Sequence, residues 1–238
     1  MTTPHLLFSV ARTEDVLARV AELASPEELL SVEDRARHDQ LHFEADRRSF
    51  VAARALTRLL LVVHDGLPLT EGALRAPDVR QRCGRCERPH GRPYVVGRAD
   101  LGLSWSHKRD VVAAAVGRGP VGVDVEHVAG VPPPLVGRTP RHAAPATAHD
   151  PTTEWLSWTR AEACVKVGLA TLTTATGWSL TWPTAPGGTT WVVPGVEEAV
   201  TGDVVGDVSQ VMLTDRSDPD MGVVCTVAGR VPAVLVTF

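Results

Sequence analysis

The six residues Val121-Gly122-Val123-Asp124-Val125-Glu126 constrain this chain more than any others. Valine at every second place is the period of a β-strand with one buried face. Val121, Val123 and Val125 then point into a core, while Gly122, Asp124 and Glu126 share the opposite face. Two carboxylates two residues apart on a rigid strand can converge on one point. Clustered carboxylate oxygens suit a hard cation such as Mg²⁺, which keeps coordination positions for substrate phosphates. An ordinary edge strand with solvated acids is the simpler account of the stretch taken alone; the rest of the chain changes the balance.

With 238 residues, 44% of them hydrophobic and 22% charged, the chain can build one large domain or two modest ones, each with a core. Met1 to Asp15 lacks a basic segment followed by a long apolar run, so no signal peptide is expected. No apolar segment is long enough to span a membrane. Cys83, Cys86, Cys164 and Cys225 do not make a disulfide framework at this length. The expectation is a soluble, cytoplasmic protein with no membrane partner.

The net charge of −4 is unevenly distributed. Residues 1–120 carry 18 basic and 16 acidic side chains, residues 121–238 carry 6 and 12. That suits a small polyanion gripped by one half and a metal held by the other. It does not suit a nucleic-acid binder, which shows a clear basic excess. Of the 24 basic residues only Lys108 and Lys166 are lysine, the one basic type of the two that can also give or take a proton.

Taken in order, Ser25-Pro26-Glu27-Glu28 reads as a helix start, followed by a charged helical stretch holding Arg35 and Arg37. Glu44 to Val63 is the clearest helix, with an apolar face through Phe50, Leu56 and Leu60. Arg47, Arg54 and Arg58 lie at helical spacing and read as a solvated basic face. Residues 64–80 read as loop. Cys83-x-x-Cys86 is a single pair; His90 and His107 could extend it, but zinc-finger spacing is missing, and a turn with two thiols is the preferred reading. His90-Gly91-Arg92-Pro93 sets an arginine beside a glycine where backbone can approach a ligand.

Leu101 to Trp105 alternates as a strand ending in Ser106-His107-Lys108, a set of hydrogen-bond donors for phosphate. Val111–Val116 reads as a further strand, expected to pair with Val121–Glu126 as a hairpin. Val128 to Ala148, rich in Pro, Ala and His, reads as a flexible excursion. Asp150-Pro151 starts a helix to about Leu169, in which Trp158, Glu162 and Lys166 share one face. The last pair is either a plain i,i+4 ion pair or a metal ligand with a phosphate contact. From Trp178 on, strands alternate with turns: Trp178–Trp182, Thr190–Val193, Val204–Leu213, Gly222–Val227 and Val234–Phe238. Helices first and strands after, in each half, predict an α+β fold. Its two similar halves, 1–120 and 121–238, would each pack helices on a mainly antiparallel sheet, in a pseudo-twofold arrangement.

Four of these elements, in this order, resemble the 4′-phosphopantetheinyl transferases of the larger, two-half type. His90-Gly91-Arg92-Pro93 is similar to that family's Gly-(Lys/Arg)-Pro element, and Leu103-Ser104-Trp105-Ser106-His107 to its Asn-x-Ser-His element. Gly122-Val123-Asp124-Val125-Glu126 fits Gly-x-Asp-x-Glu throughout. Trp158 to Lys166 fits Trp-x-x-Lys-Glu-Ala-x-x-Lys except that Ala161 stands for the first lysine. Ser104 likewise stands where the family usually has Asn. The resemblance covers roughly residues 25 to 170.

The resemblance implies a reaction: the phosphopantetheine arm of coenzyme A moves to a serine of an apo carrier protein, releasing 3′,5′-ADP. It implies that Asp124, Glu126 and Glu162 hold Mg²⁺, or Mn²⁺ in its place, on the diphosphate. Lys166 would contact the diphosphate and protonate the leaving phosphate; the chemistry also needs a group to accept the serine proton, for which Glu162, directly or through a metal-bound water, is the candidate. Gly91, Arg92, Pro93, Ser106 and His107, helped by Arg35 and Arg37, would bind the nucleotide phosphates. It also implies a monomer that makes the whole site in one chain. Ala161 removes a charge beside Glu162, from which lower activity or an altered pH dependence is expected. Two other classes share these residues: a metal-dependent hydrolase of coenzyme A or another nucleotide diphosphate, and an inactive coenzyme A-binding protein on the same fold.

Overall fold

In the computed structural model, residues 6–83, 86, 88–130, 132, 151–169, 190–194 and 210–238 are described. Two four-stranded sheets dominate. The first holds β1 (Leu6–Arg12), β4 (Leu101–Lys108), β5 (Val111–Arg118) and β10 (Ala233–Leu235) in the order β10-β1-β5-β4. Its β1–β10 pair is parallel and the others antiparallel. The second holds β6 (Gly122–His127), β7 (Thr190–Pro194), β8 (Gln210–Asp218) and β9 (Val223–Gly229), all antiparallel, in the order β6-β9-β8-β7. A small hairpin pairs β2 (Val79–Arg82) with β3 (Arg92–Val95). The helices are α1 (Thr13–Ala21), α2 (Val32–His38), α3 (Glu44–His64), α4 (Glu71–Arg75) and α5 (Pro151–Val167). The fold is therefore α+β, as the order of elements predicts.

The periodicity of each strand shows how the layers stack. In β5 the sequence VVAAAV has no polar face, and every residue from Val111 to Gly117 is buried. Val112, Ala114 and Val116 join the core under α1 and α3, with Leu56, Leu59 and Leu60. Val111, Ala113 and Ala115 join a second core, against Val121, Val123 and Val125 and against Val223, Cys225 and Val227 of β9. The two sheets thus pack face to face, and α5 covers the far side of the second through Ala163, Cys164 and Val167. The described residues are layered helix, sheet, sheet, helix. The valine face of β6 points to the first sheet, so its acid face points to α5.

The expected hairpin of Val111–Val116 with Val121–Glu126 does not form. β5 pairs with β1 and β4, and β6 pairs with β9. Two strands with apolar faces can meet face to face as readily as edge to edge, and local period does not separate the two. The turn at Arg109, whose φ is +53°, instead closes a β4–β5 hairpin, and β4 runs on through Ser106-His107-Lys108. Other expectations shift as well. Pro26–Leu29 is one 3₁₀ turn; α2 is capped by Ser31, whose Oγ accepts from Asp34 N–H at 3.0 Å. The 64–80 stretch contains α4, capped by Thr70, and the start of β2. The strand expected at Trp178–Trp182, the start of the one at 204–209, and all of the 128–148 excursion except 128–130 and 132 lie outside the described residues. Among the described residues no helix is long and apolar enough to cross a membrane.

The arginines expected on a solvated face include two that are buried. Arg54 lies 3.4 Å above the Phe50 ring and 4.7 Å from that of Trp105, and its Nε donates to Asp34 at 3.2 Å. Burial pushes its pKa down to about 10, opposed by Asp34, so it stays cationic at neutral pH. Arg58 donates to the Leu74 and Pro77 carbonyls at 3.0 and 2.7 Å. A planar guanidinium can stack and donate at once, which makes it the basic group that tolerates burial.

Candidate active site

Helix α5 crosses β6 at Gly122. A Cβ there would sit 2.2 Å from the Ala163 carbonyl oxygen and 2.9 Å from the Val167 nitrogen. Only a residue without a side chain lets the helix backbone come this close. The crossing brings Lys166 onto the acid face of the strand. Lys166 Nζ donates to Asp124 Oδ1 at 2.8 Å and to the Val123 carbonyl at 2.9 Å. The i,i+4 partner Glu162 is not its ion-pair partner.

Asp124 is buried, 4% exposed, and Glu126 nearly so. Ser106 Oγ donates to Asp124 Oδ1 at 2.8 Å, and Lys108 Nζ donates to Glu126 Oε1 at 3.3 Å while lying 2.9 Å from Oε2. Both lysines of the chain therefore neutralise these two acids. Asp124 Oδ2 and Glu126 Oε2 are buried and have no hydrogen bond among the described residues. Lys108 reaches Glu126 Oε2 as an ion pair, so Asp124 Oδ2 is the buried oxygen left without a partner, and leaving it so is costly. Glu162, half-buried on α5, is held above the ordinary carboxylate pKa by desolvation and by the neighbouring Asp124 and Glu126, with Lys166 opposing. Hard oxygen donors, one of them with an unpartnered buried atom, fit Mg²⁺ by chemistry. Their oxygens are not drawn to one point, however. Among the described residues only Cys83, Cys86 and His90 bring three such ligand atoms within 4.8 Å of one another.

The serines of β4 fix the edge of the first sheet to β6. Val123 N–H donates to Ser104 Oγ at 3.0 Å, so the residue standing for the expected Asn carries a structural bond. Ser106, expected to meet phosphate, also engages Asp124. His107 is exposed, yet partial desolvation and the nearby Arg54 and Lys166 cations lower its pKa. Arg92 of β3 reaches across to α5 and donates to the Lys166 carbonyl at 2.9 Å, where a cation meets the negative end of the helix.

Arg37 and Gly91 are joined through Gln81, which the sequence reading missed. Gln81 Oε1 accepts from Arg37 at 2.7 Å and from Arg54 at 3.2 Å, and its Nε2 donates to the Gly91 carbonyl at 2.7 Å. Pro93 sits opposite Gln81 in the hairpin. A depression of about 400 Å³ lined by Glu33, Arg80, Gln81, Arg82, Pro89 and Tyr94 lies on this hairpin rather than over the acids. Arg35 is exposed on α2. Ala161 is fully buried, so a lysine there would enter packed protein. The nearest cation in sequence, Arg160, is also fully buried. It pairs with Asp215 at 2.5 and 3.0 Å, and Thr226 donates to the same carboxylate at 2.8 Å.

Lys108 and Gln81 had different visibility in the sequence. Lys108 stood out as one of two lysines; Gln81 had no signal, because its partners come from α2, α3 and a turn. No protein-family model matches the chain. No curated protein shows significant similarity to it.

Proposed function

We propose that this chain is a 4′-phosphopantetheinyl transferase that moves the phosphopantetheine arm of coenzyme A to a serine of an apo carrier protein and releases 3′,5′-ADP. The observation that carries the reading is the crossing at Gly122, which sets Lys166 on Asp124 and brings Glu162 close enough to both β6 acids for them to raise its pKa. The four sequence elements of the resemblance support the same reading, since the hairpin meets β4 and α5, and β4 and α5 both meet the acid-bearing β6.

Asp124, Glu126 and Glu162 would hold Mg²⁺ or Mn²⁺, which supplies neutralisation of the diphosphate charge that builds during phosphoryl transfer. The chain's own groups do the remaining work. Lys166 Nζ, the one titratable cation touching Asp124, faces the diphosphate and gives the leaving phosphate a proton. Glu162 accepts the proton of the attacking serine at a carboxylate oxygen. Arg92 and His107 face the nucleotide phosphates, and Arg37 holds Arg92's loop through Gln81 and Gly91. The reaction belongs in the cytoplasm, where four cysteines without a disulfide remain thiols, and one chain suffices for the site.

The test is the intact mass of an apo carrier protein incubated with this protein, coenzyme A and Mg²⁺, with a chelator control. The expected result is a gain of one phosphopantetheine arm, lost with chelator. Release of phosphopantetheine to solvent without carrier loading, or coenzyme A binding without turnover on several carriers, would overturn the proposal.

A further inference from the structure

The turn between β2 and β3 gathers three ligands that the proposed reaction does not use. Cys83, Cys86 and His90 bring their Sγ, Sγ and imidazole nitrogen atoms within 4.8 Å of one another, with Cys86 Sγ 3.0 Å from His90 Nε2. None of the chain's cysteines is in a disulfide. The backbone imposes this convergence. The ladder ends at the Arg82–Arg92 pair, which sets Cys83 beside Gly91. Gly91 has φ +90°, and a Cβ there would lie 2.9 Å from the Arg82 carbonyl and 3.1 Å from Cys83 Cα. Cys83 N–H and His90 N–H both donate to the Arg88 carbonyl, at 3.1 and 2.8 Å. The turn therefore folds back on itself and presents Cys83 and His90 on the same side as Cys86. His107, the other histidine the sequence offered, does not join the group.

We propose that Cys83, Cys86 and His90 bind a thiophilic divalent ion, Zn²⁺ by preference, as a clip on this hairpin. Two thiolates and an imidazole select a borderline-soft ion over the hard cation that suits the acids of β6. Bonds of about 2.0–2.3 Å in a tetrahedron put the ligand atoms ~3.5–3.8 Å apart, so the exposed Cys86–His90 contact, now 3.0 Å, opens by roughly half an ångström while the three atoms stay inside 4.8 Å. Cys86 and His90 are exposed, so water completes the fourth position. Each thiol releases its proton to solvent as its bond to zinc forms, and no electrons are exchanged. The clip spans the residues just before Arg92, whose side chain ends on helix α5 at Lys166. The ion would hold the hairpin at the length and angle from which Arg92 reaches that carbonyl.

The test is the zinc content of the full chain, purified without a polyhistidine tag in reductant and dialysed against a weak chelator. It is paired with cobalt titration of the metal-stripped chain. About one zinc per chain, a thiolate-to-cobalt absorption band, and loss of both in the Cys83→Ser, Cys86→Ser double variant are expected. Zinc no higher than in the double variant, or cobalt binding without the thiolate band, would overturn the proposal. The readouts are metal content and absorption of the unmodified chain. They stand whether or not the chain transfers phosphopantetheine, and the cobalt band does not require that the variant fold.

Discussion

Glu162 and His107 illustrate how one side chain answers to its neighbours. Glu162→Gln keeps the shape of the carboxylate and removes its ability to accept a proton. Carrier loading should fall about 10²–10⁴-fold with little change in the folding transition. Wild-type rates in that variant would remove Glu162 from the chemistry. His107 has a depressed pKa in the folded chain, below the ordinary 6.5, because of desolvation and the cations Arg54 and Lys166. The unfolded chain therefore binds this proton first as pH falls. The stability tied to His107 is complete above pH 6.5 and is lost as pH drops through the lowered value. Urea midpoints of wild type and His107→Gln should differ by a constant amount above that pH and move in favour of the variant below it. A difference independent of pH would show that neither desolvation nor the neighbouring cations depress the His107 pKa.

At the scale of elements, the site depends on one contact between a strand and a helix. Gly122→Ala puts a methyl group where the Ala163 carbonyl is 2.2 Å away, so α5 has to move. Overpacking of this kind costs about 1–3 kcal/mol. In a chain of this size each kcal/mol lowers the midpoint by about 2–4 °C. Activity should fall further than stability, because Glu162 and Lys166 ride on the displaced helix while Asp124 and Glu126 stay on the strand. A variant with an unchanged midpoint and an unchanged loading rate would mean that the helix has room at the crossing. The sheet-facing side of α5 also carries a buried ion pair. Arg160 with Asp215 anchors the helix to β8, which fixes its rotation as well as its distance.

For the whole molecule, the order of layers decides which faces are buried. The last strand, β10, leaves the second half of the chain and pairs in parallel with β1, and Val236 N–H donates to the Phe8 carbonyl at 2.8 Å. The chain's end thus closes the edge of the first sheet. Removing residues 233–238 would leave the β1 edge open for pairing with another copy. The midpoint should drop by roughly 5 °C or more, and light scattering at elevated concentration should rise. A truncated chain as stable and as monodisperse as the full one would show that β10 contributes little to the first sheet.

The sequence alone determined the elements whose period is strong and whose ends are marked. Helix α3, helix α5 with its proline start, the strands around 101–127, and the α+β class were all legible, because burial period and end signals are local properties. The acids of β6 were legible as one face of one strand. Tertiary structure decided what that face meets. Gly122 read as a neighbour of the acids, yet its role is to admit a helix from forty residues further on. Arg54 and Arg58 read as solvated because helical spacing does not reveal an aromatic ring above or a carbonyl alongside. β5 and β6 read as a hairpin because alternation gives the face of a strand and not its edge partner; that choice belongs to the two packed sheets. Cys83 and Cys86 read as a plain turn because zinc-finger spacing is missing and sequence does not choose between His90 and His107; the folded turn, with its left-handed Gly91, brings His90 to the two thiols. Local pattern fixes which residues can be buried, while only the packed chain assigns the partners they are buried against.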